Sequence, residues 1–304
     1  YCSGKYKDDM TGQPLIDALV REARQRELEY FGTKGVWLKV PKKQCHDATG
    51  RAPISVRWVD VNKGDDSSPR CRSRLVARQL KSRAKSGDCY FSPTPPLEGL
   101  RAVLSLAATS CGTWRPVLDL ESEDRTQIST IDISRAYFNA VKDADDTTYV
   151  DLPKEEPGSE TMCAQLLRHM YGTRGAADGW QEEYSTTLVA LGFAQGMSSP
   201  CLFAHRQRSI IMTVHGDDFT AVGSKRELDW FEEAMKQHYE LTVGPRLGPG
   251  HNDAKESTIL NRVIRWTPEG IEYEADPRQA EKLIRECGLE GSNSVCTPSV
   301  RESA

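Results

Sequence analysis

Apolar positions along the chain fall into two rhythms, and each rhythm predicts an element type. Helical spacing places Leu15, Leu19 and Ala23 on one side of residues 13–31, opposite dense Arg and Glu. The same spacing links Leu97, Leu100, Val103, Leu104 and Ala107, after the rigid break Ser92-Pro93-Thr94-Pro95-Pro96. It recurs at Trp180, Tyr184, Leu188 and Leu191, stopped by Gly192, and again at Leu228, Phe231, Met235 and Tyr239. Asp276-Pro277-Arg278-Gln279 reads as a capped helix start with Gly288 as its stop. Runs rich in β-branched and aromatic residues predict strands over 36–40, 56–61, 74–77, 129–133, 149–152, 210–214 and 219–222. Residues 62–69 make a long hairpin tip, 42–53 and 153–160 polar loops, 136–141 a short helical piece, and 287–304 a linker-like end. This order predicts an α+β fold, with an antiparallel sheet packed against helices on one face.

Between the strands 210–214 and 219–222 lies His215-Gly216-Asp217-Asp218. Gly and Asp favour turns, so this can be a plain polar hairpin. Two adjacent carboxylates also repel, and a hard divalent cation would relieve that repulsion. A third carboxylate decides between these readings. Asp132 supplies it, set among Ile131, Ile133 and Thr130 in a β-type run where an unpaired charge is costly. If that strand neighbours the hairpin, three carboxylates converge on one sheet face, the arrangement two-metal phosphoryl chemistry uses.

Bulk properties narrow the class further. A length of 304 residues, 38% of them hydrophobic and 28% charged, suits a soluble globular protein of one large or two modest domains. The apolar runs are far shorter than a membrane span, no signal-peptide pattern opens the chain, and Tyr1 at the start suggests a piece of a longer reading frame. Nine scattered cysteines without metal-like spacing point to reduced, intracellular thiols. The net charge of −4 speaks against a general nucleic-acid binder, yet residues 70–85 hold seven basic residues and no acid. That strip is either a solvated basic face or a footprint for phosphates.

At this point the ordered motifs carry a resemblance. Asp132-Ile133-Ser134-Arg135-Ala136-Tyr137-Phe138-Asn139 and the later Asp217-Asp218 hairpin resemble the catalytic core of reverse transcriptases. The match narrows to the copia type of long-terminal-repeat retrotransposons through Arg74-Leu75-Val76-Ala77-Arg78, Met170-Tyr171-Gly172-Thr173-Arg174 with Trp180, Leu191-Gly192-Phe193 and Cys296-Thr297-Pro298. It covers roughly residues 35–300; each motif alone is weak, but their order is specific.

The resemblance implies a right-hand, fingers-and-palm polymerase fold. Residues 1–35 would be a helical lead-in and 36–128 a fingers-like region with the basic hairpin. Residues 129–250 would be the palm, and 251–304 its end with a thumb-proximal helix and linker. Asp132, Asp217 and Asp218 would be catalytic and would hold two Mg²⁺ ions, with Mn²⁺ able to substitute. Tyr137 would lie under the incoming sugar and exclude a 2′-hydroxyl; read from the residues alone, a core aromatic is the preferred reading. Arg72, Arg74 and Arg78 would contact triphosphate or template, and alternation along a strand leaves open which of them points inward. Arg174 is a further phosphate candidate, with a surface arginine as the plain reading. The implied partners are an RNA or DNA template–primer and deoxynucleoside triphosphates, with no membrane, in a cytoplasmic retroelement particle or the nucleus.

The chain departs from the family pattern at His215, where Tyr is usual, at Gly175, where Gln is usual, and at Ala177 and Asp178, which replace Pro and Arg. His215 reads as a packed histidine ahead of a metal ligand. An RNA-directed DNA polymerase is therefore weighed against a catalytically inactive nucleic-acid-binding relic of the same fold. A metal-dependent phosphohydrolase is the third reading; it would have no need of the basic hairpin.

Overall fold

The strand rhythm resolves into four antiparallel sheets in a computed structural model that describes residues 4–65, 67–79, 94–119, 122, 124–143, 145–274 and 277–293. The helices are α1 (Asp17–Lys34), α2 (Lys42–Thr49), α3 (Leu97–Leu106), α4 (Ala176–Ala190), α5 (Lys225–His238) and α6 (Pro277–Glu286). The first strands are β1 (Trp37–Pro41), β2 (Val56–Asn62), β3 (Cys71–Ala77), β4 (Thr126–Ile133), β5 (Tyr149–Asp151) and β6 (Met162–Leu166). They are followed by β7 (Ala194–Gln195), β8 (Leu202–His205), β9 (Ile210–His215), β10 (Asp218–Ser224), β11 (Leu241–Val243), β12 (Glu256–Ile259), β13 (Arg262–Thr267) and β14 (Gly270–Glu274). The Asp276 cap, the Ser92-Pro93 break, the end of the basic strip and the Cys296-Thr297-Pro298 motif lie outside the described residues. No helix among the described residues is long and apolar enough to cross a membrane.

The largest sheet has the order β11-β4-β10-β9-β8-β7. Successive residues of a strand face opposite sides, and the two sides are covered differently. Ile131, Ile133, Met212, Val214, Phe219 and Ala221 face α4 and α5, where Trp180, Tyr184, Leu188, Phe231 and Met235 complete one core. Ile128 and Val222 face the other way, into a second core with Leu100, Val103 and Leu104 of α3 and with Ile259, Ile264 and Trp266 of the small sheet β12-β13-β14. The expectation of helices on one face alone is thus corrected. The sheet is apolar on both sides at its Ile128–Val222 end, so a single layer of helices could not keep it dry. Further along that second face the outward positions become Thr130, Thr220, Asp132 and Asp218. That polar end is the one that carries the candidate site.

A third core joins the hairpin β2–β3, the sheet β1-β6-β5 and α1. Phe31 and Phe138 are fully buried there, edge to face at 4.7 Å. Burial of each such side chain stabilises the fold by about 1.5–3 kcal/mol. Residues 42–49, predicted as loop, form α2 instead. Its one buried side chain, Cys45, packs with Val40, Tyr149 and Cys163, and the Thr49 hydroxyl donates to the Cys45 carbonyl at 2.7 Å. A polar segment this short shows no helical period; tertiary contact decides it.

The β4 strand is also tied by charge. Arg125 donates through Nε and Nη2 to the Asp253 carboxylate at 2.8 Å each, Gln127 Nε2 donates to it at 2.6 Å, and the Gly250 N–H at 2.8 Å. The Arg125 bond, against the opposing effect of burial, holds the Asp253 carboxyl below its ordinary 3.8. A depressed folded-state pKa means stability present at neutral pH and lost as pH falls through that value. Asp253→Asn should cost about 2–3 kcal/mol at pH 7. Urea unfolding followed against pH should show that deficit shrinking once the pH drops below the ordinary carboxylate range; a deficit that stays constant would contradict it.

Candidate active site

The turn between β9 and β10 contains only Gly216 and Asp217, with His215 and Asp218 paired across its base. Two-residue hairpin turns need a left-handed residue, and Gly216 supplies it with φ 64°. The indole N–H of Trp180, a buried residue on α4, donates to the Gly216 carbonyl at 2.8 Å. The helix thereby fixes the turn from beneath.

On the other side of β10 lies β4, in a register that sets Asp132 directly opposite Asp218. Opposed residues of an antiparallel pair share a face, so the two carboxylates are neighbours. The Ile133 N–H donates to the Asp217 carbonyl at 3.0 Å, which draws the turn against the strand that bears Asp132. Crowding shows in the acidities. Burial, Asp217 and Asp132 together push the Asp218 carboxyl up to about 6, with His215 acting in the opposite direction. Burial and then Asp217 also raise Asp132, against a counteracting Arg74.

Asp132 and Asp217 open onto a cleft of about 390 Å³ whose other walls are β3 and α1. Arg72, Arg74 and Arg78 have the same parity, so alternation does not separate them; their position along the chain does, because β3 ends at Ala77. Arg72 and Arg74 line the cleft together with the buried Cys71 and Ser73, while Leu75 and Ala77 are buried beyond it. Arg74 lies over the Tyr171 ring at 4.7 Å, and Tyr171 meets Tyr137 at 4.8 Å. Burial raises the Tyr137 hydroxyl, as does nearby Asp217, with Arg74 opposing. Tyr137 is thus both half-buried against the α4–α5 core and within electrostatic reach of the carboxylates. Arg78 lies just beyond β3, exposed, its N–H donating to the Ser55 carbonyl. Arg174 sits before α4, its N–H donating to Gln79 Oε1 at 2.8 Å. Neither is among the described residues that line the cleft.

His215 is half-buried on β9 beside Asp218. Gly175 is the residue that caps the start of α4, and Asp178 falls in that helix's first turn. An acid there is favoured by the helix dipole, which explains its presence without any nucleotide.

Three charged residues of the cleft, Arg26, Glu27 and Arg135, went unrecognised in the sequence. Glu27 of α1 is 3% exposed, and its Oε2 accepts from Arg135 Nε at 2.9 Å. Burial raises its carboxyl, against Arg135 and then Arg74. The signal was present: Glu27 lies on the buried stripe with Val20, Ala23 and Phe31 and cannot belong to the solvated face. Arg135 carried no such mark.

Among the described residues, no group of three Asp, Glu, His or Cys side chains is gathered closely enough to hold one ion as it stands. The donor chemistry nonetheless fits a hard cation. The groups are carboxylate oxygens; burial and then mutual repulsion push Asp218 up to about 6, and a divalent ion would relieve both.

Residues 43–248 match the family described as reverse transcriptase (RNA-dependent DNA polymerase), and the chain belongs to that family. It is similar to the retrovirus-related Pol polyprotein from transposon RE2 of Arabidopsis thaliana, 28% identical over 207 residues, 62% of this chain and 13% of that protein. It is also similar to the corresponding polyprotein from transposon RE1 of the same plant, 26% identical over 248 residues, 75% of this chain and 15% of that protein. The chain therefore spans about one-seventh of the length of these relatives.

If Trp180 fixes the turn, Trp180→Phe should destabilise the fold by about 1–3 kcal/mol, because it strands a buried carbonyl and leaves a small void. Equilibrium denaturation measures this; a change under about 0.5 kcal/mol would show that the bond does not hold the turn.

Proposed function

We propose that this chain is the fingers and palm of an RNA-directed DNA polymerase from a copia-type retroelement polyprotein. The single observation that carries the reading is the pairing of Asp132 with Asp218 beside the Asp217 turn, opening on a cleft walled by Arg72 and Arg74. In this reading β4, β9 and β10 form the palm, and the β2–β3 hairpin forms the basic face of the fingers. Residues 251–304 end the palm and lead towards a thumb.

The reaction joins the primer 3′-oxygen to the α-phosphorus of a deoxynucleoside triphosphate. The bond from that phosphorus to the β-phosphate oxygen breaks, pyrophosphate leaves, and the hydroxyl proton passes to solvent. Asp132, Asp217 and Asp218 would hold two Mg²⁺ ions, or Mn²⁺, which when bound supply Lewis-acid activation of the hydroxyl and neutralise the triphosphate charge. The chain's own part is positioning and electrostatics. Arg72 and Arg74 face the cleft and offer bidentate contacts to the triphosphate. Tyr137, braced by Tyr171, would lie under the incoming sugar and exclude a 2′-hydroxyl. Arg78 and Arg174, outside the cleft, suit the template backbone better than the nucleotide.

Primer extension on primed RNA with Mg²⁺ and the four deoxynucleotides tests the reading. Wild type should extend the primer, and Asp217→Asn should reduce extension by about 100-fold or more while still binding template–primer. Binding itself should weaken with added salt, because it rests on phosphate contacts. A wild type that binds the duplex but does not extend it with Mg²⁺ or Mn²⁺ would leave the inactive-relic reading in place.

A further inference from the structure

The wall of the cleft opposite the carboxylates is α1, which lies wholly outside the segment 43–248 matched to the family. It brings Ala23, Arg26 and Glu27 to the cleft, and Glu27 is the buried charge among them. A carboxylate that is 3% exposed is costly, and more so here because its Oε1 has no hydrogen-bond partner among the described residues. What the side chain does in return is hold Arg135. Tyr30, one turn further along α1, holds the same guanidinium against its ring at 4.1 Å.

Arg135 occupies a strained place. Its φ of 49° and ψ of 47° are left-handed, which a residue with a Cβ adopts only when its surroundings impose it. It stands between Asp132 at the end of β4 and Tyr137 on the 3₁₀ turn Ala136–Asn139. The backbone before it is pinned by Ser134 N–H to the Glu240 carbonyl at 2.9 Å, and the turn after it by Phe138 N–H to the Arg135 carbonyl at 3.0 Å. Side chains anchor the reversal at both ends: Glu27 of α1 holds Arg135 at its start, and Arg168 Nη1 donates to the Phe138 and Asn139 carbonyls at 3.3 and 3.0 Å at its end.

We propose that Glu27 is a positioning residue for nucleotide selection, acting through Arg135 to set Tyr137 in register with Asp132. A plain structural ion pair would make the same contact, but its loss would loosen the protein generally. Loss of a positioning pair should disturb the 132–137 reversal and the nucleotide step, and leave duplex binding alone. The inference rests on the polymerase reading, so its test includes a measurement that needs no catalysis.

Single-nucleotide insertion, template–primer affinity and amide hydrogen exchange should be measured for the wild type, Glu27→Gln, Glu27→Asp and the double variant Glu27→Gln/Arg135→Gln. Glu27→Gln should raise KM for the deoxynucleotide about tenfold, change kcat less, and reduce discrimination against ribonucleotides severalfold, on the scale of small misplacements at a reacting centre. Duplex affinity should be unchanged. The Phe138 amide should exchange faster, while the Ile128 amide, bonded to the Leu247 carbonyl, should keep its wild-type rate. Glu27→Asp should fall between wild type and Glu27→Gln, and the double variant should be no worse than Glu27→Gln, since the two residues act as one unit. Unchanged KM and discrimination would overturn the proposal, as would general loss of protection at Phe138 and Ile128 together. If the wild type does not extend primers, the polymerase reading falls. The coupling of Glu27 to the turn is then decided by the Phe138 amide alone, supported by faster exchange and overturned by an unchanged rate.

Discussion

Antiparallel pairing of β4 with β10 sets Asp132 beside Asp218, and a two-residue turn leaves Asp217 one position away. Three like charges at one end of a sheet work against the fold: burial first, and then neighbouring carboxylates, raise the pKa of Asp132 and Asp218. Much of the surrounding architecture serves to keep them there. Backbone hydrogen bonds carry the register, and the Trp180 indole holds the turn through its carbonyl. The aromatic core beneath is dense enough to resist relaxation, with Trp180 edge-on to both Tyr184 and Tyr239. Register in such a pair is strongly specified, because a one-residue slip would send Phe219 and Ile131 out of the core and the aspartates into it.

The sheet differs along its length. At the Ile128–Val222 end it is sandwiched between two cores; at the Asp132–Asp218 end the second layer stops, and one face is left polar and open. The candidate site thus has rigid support on one side and open access on the other. The reversal after Asp132 adds a third link, because consecutive residues go to different cores. Tyr137 packs on the α4–α5 side, and Phe138 is buried with Phe31 of α1. The carboxylates, the cleft wall and the helical lead-in are thus mechanically joined.

Charge in the cleft is close to balanced. Arg26, Arg72, Arg74 and Arg135 face Glu27, Asp132 and Asp217. Arg74 takes part in several of these interactions at once, moderating Asp132, Tyr137 and Glu27 while lying on Tyr171. An anionic ligand entering this space would meet arginines already oriented by acids and rings, which lowers the entropy of engaging them.

Much of this was legible in order and type. The β2–β3 and β9–β10 hairpins, the helices with clear apolar stripes, and Asp132 on a strand before an Asp-Asp turn all follow from local periodicity and turn chemistry. Strand pairing across the sheet was not, since the residues between β4 and β10 leave no local trace of which strands will meet. The short helix α2 and the strands β6 through β8 and β11 through β14 were missed, because segments of this length bury too little in isolation to show a period. Arg72 and Arg74 could be named but not separated from Arg78 until β3 was seen to end at Ala77, short of it. Glu27 lay in plain view on a buried stripe, and only its meeting with Arg135 gave it meaning. By itself the sequence determined which residues have the chemistry, for side-chain type and spacing are local properties. The tertiary structure decided which of them share a cleft, because pairing and packing between distant segments settle that.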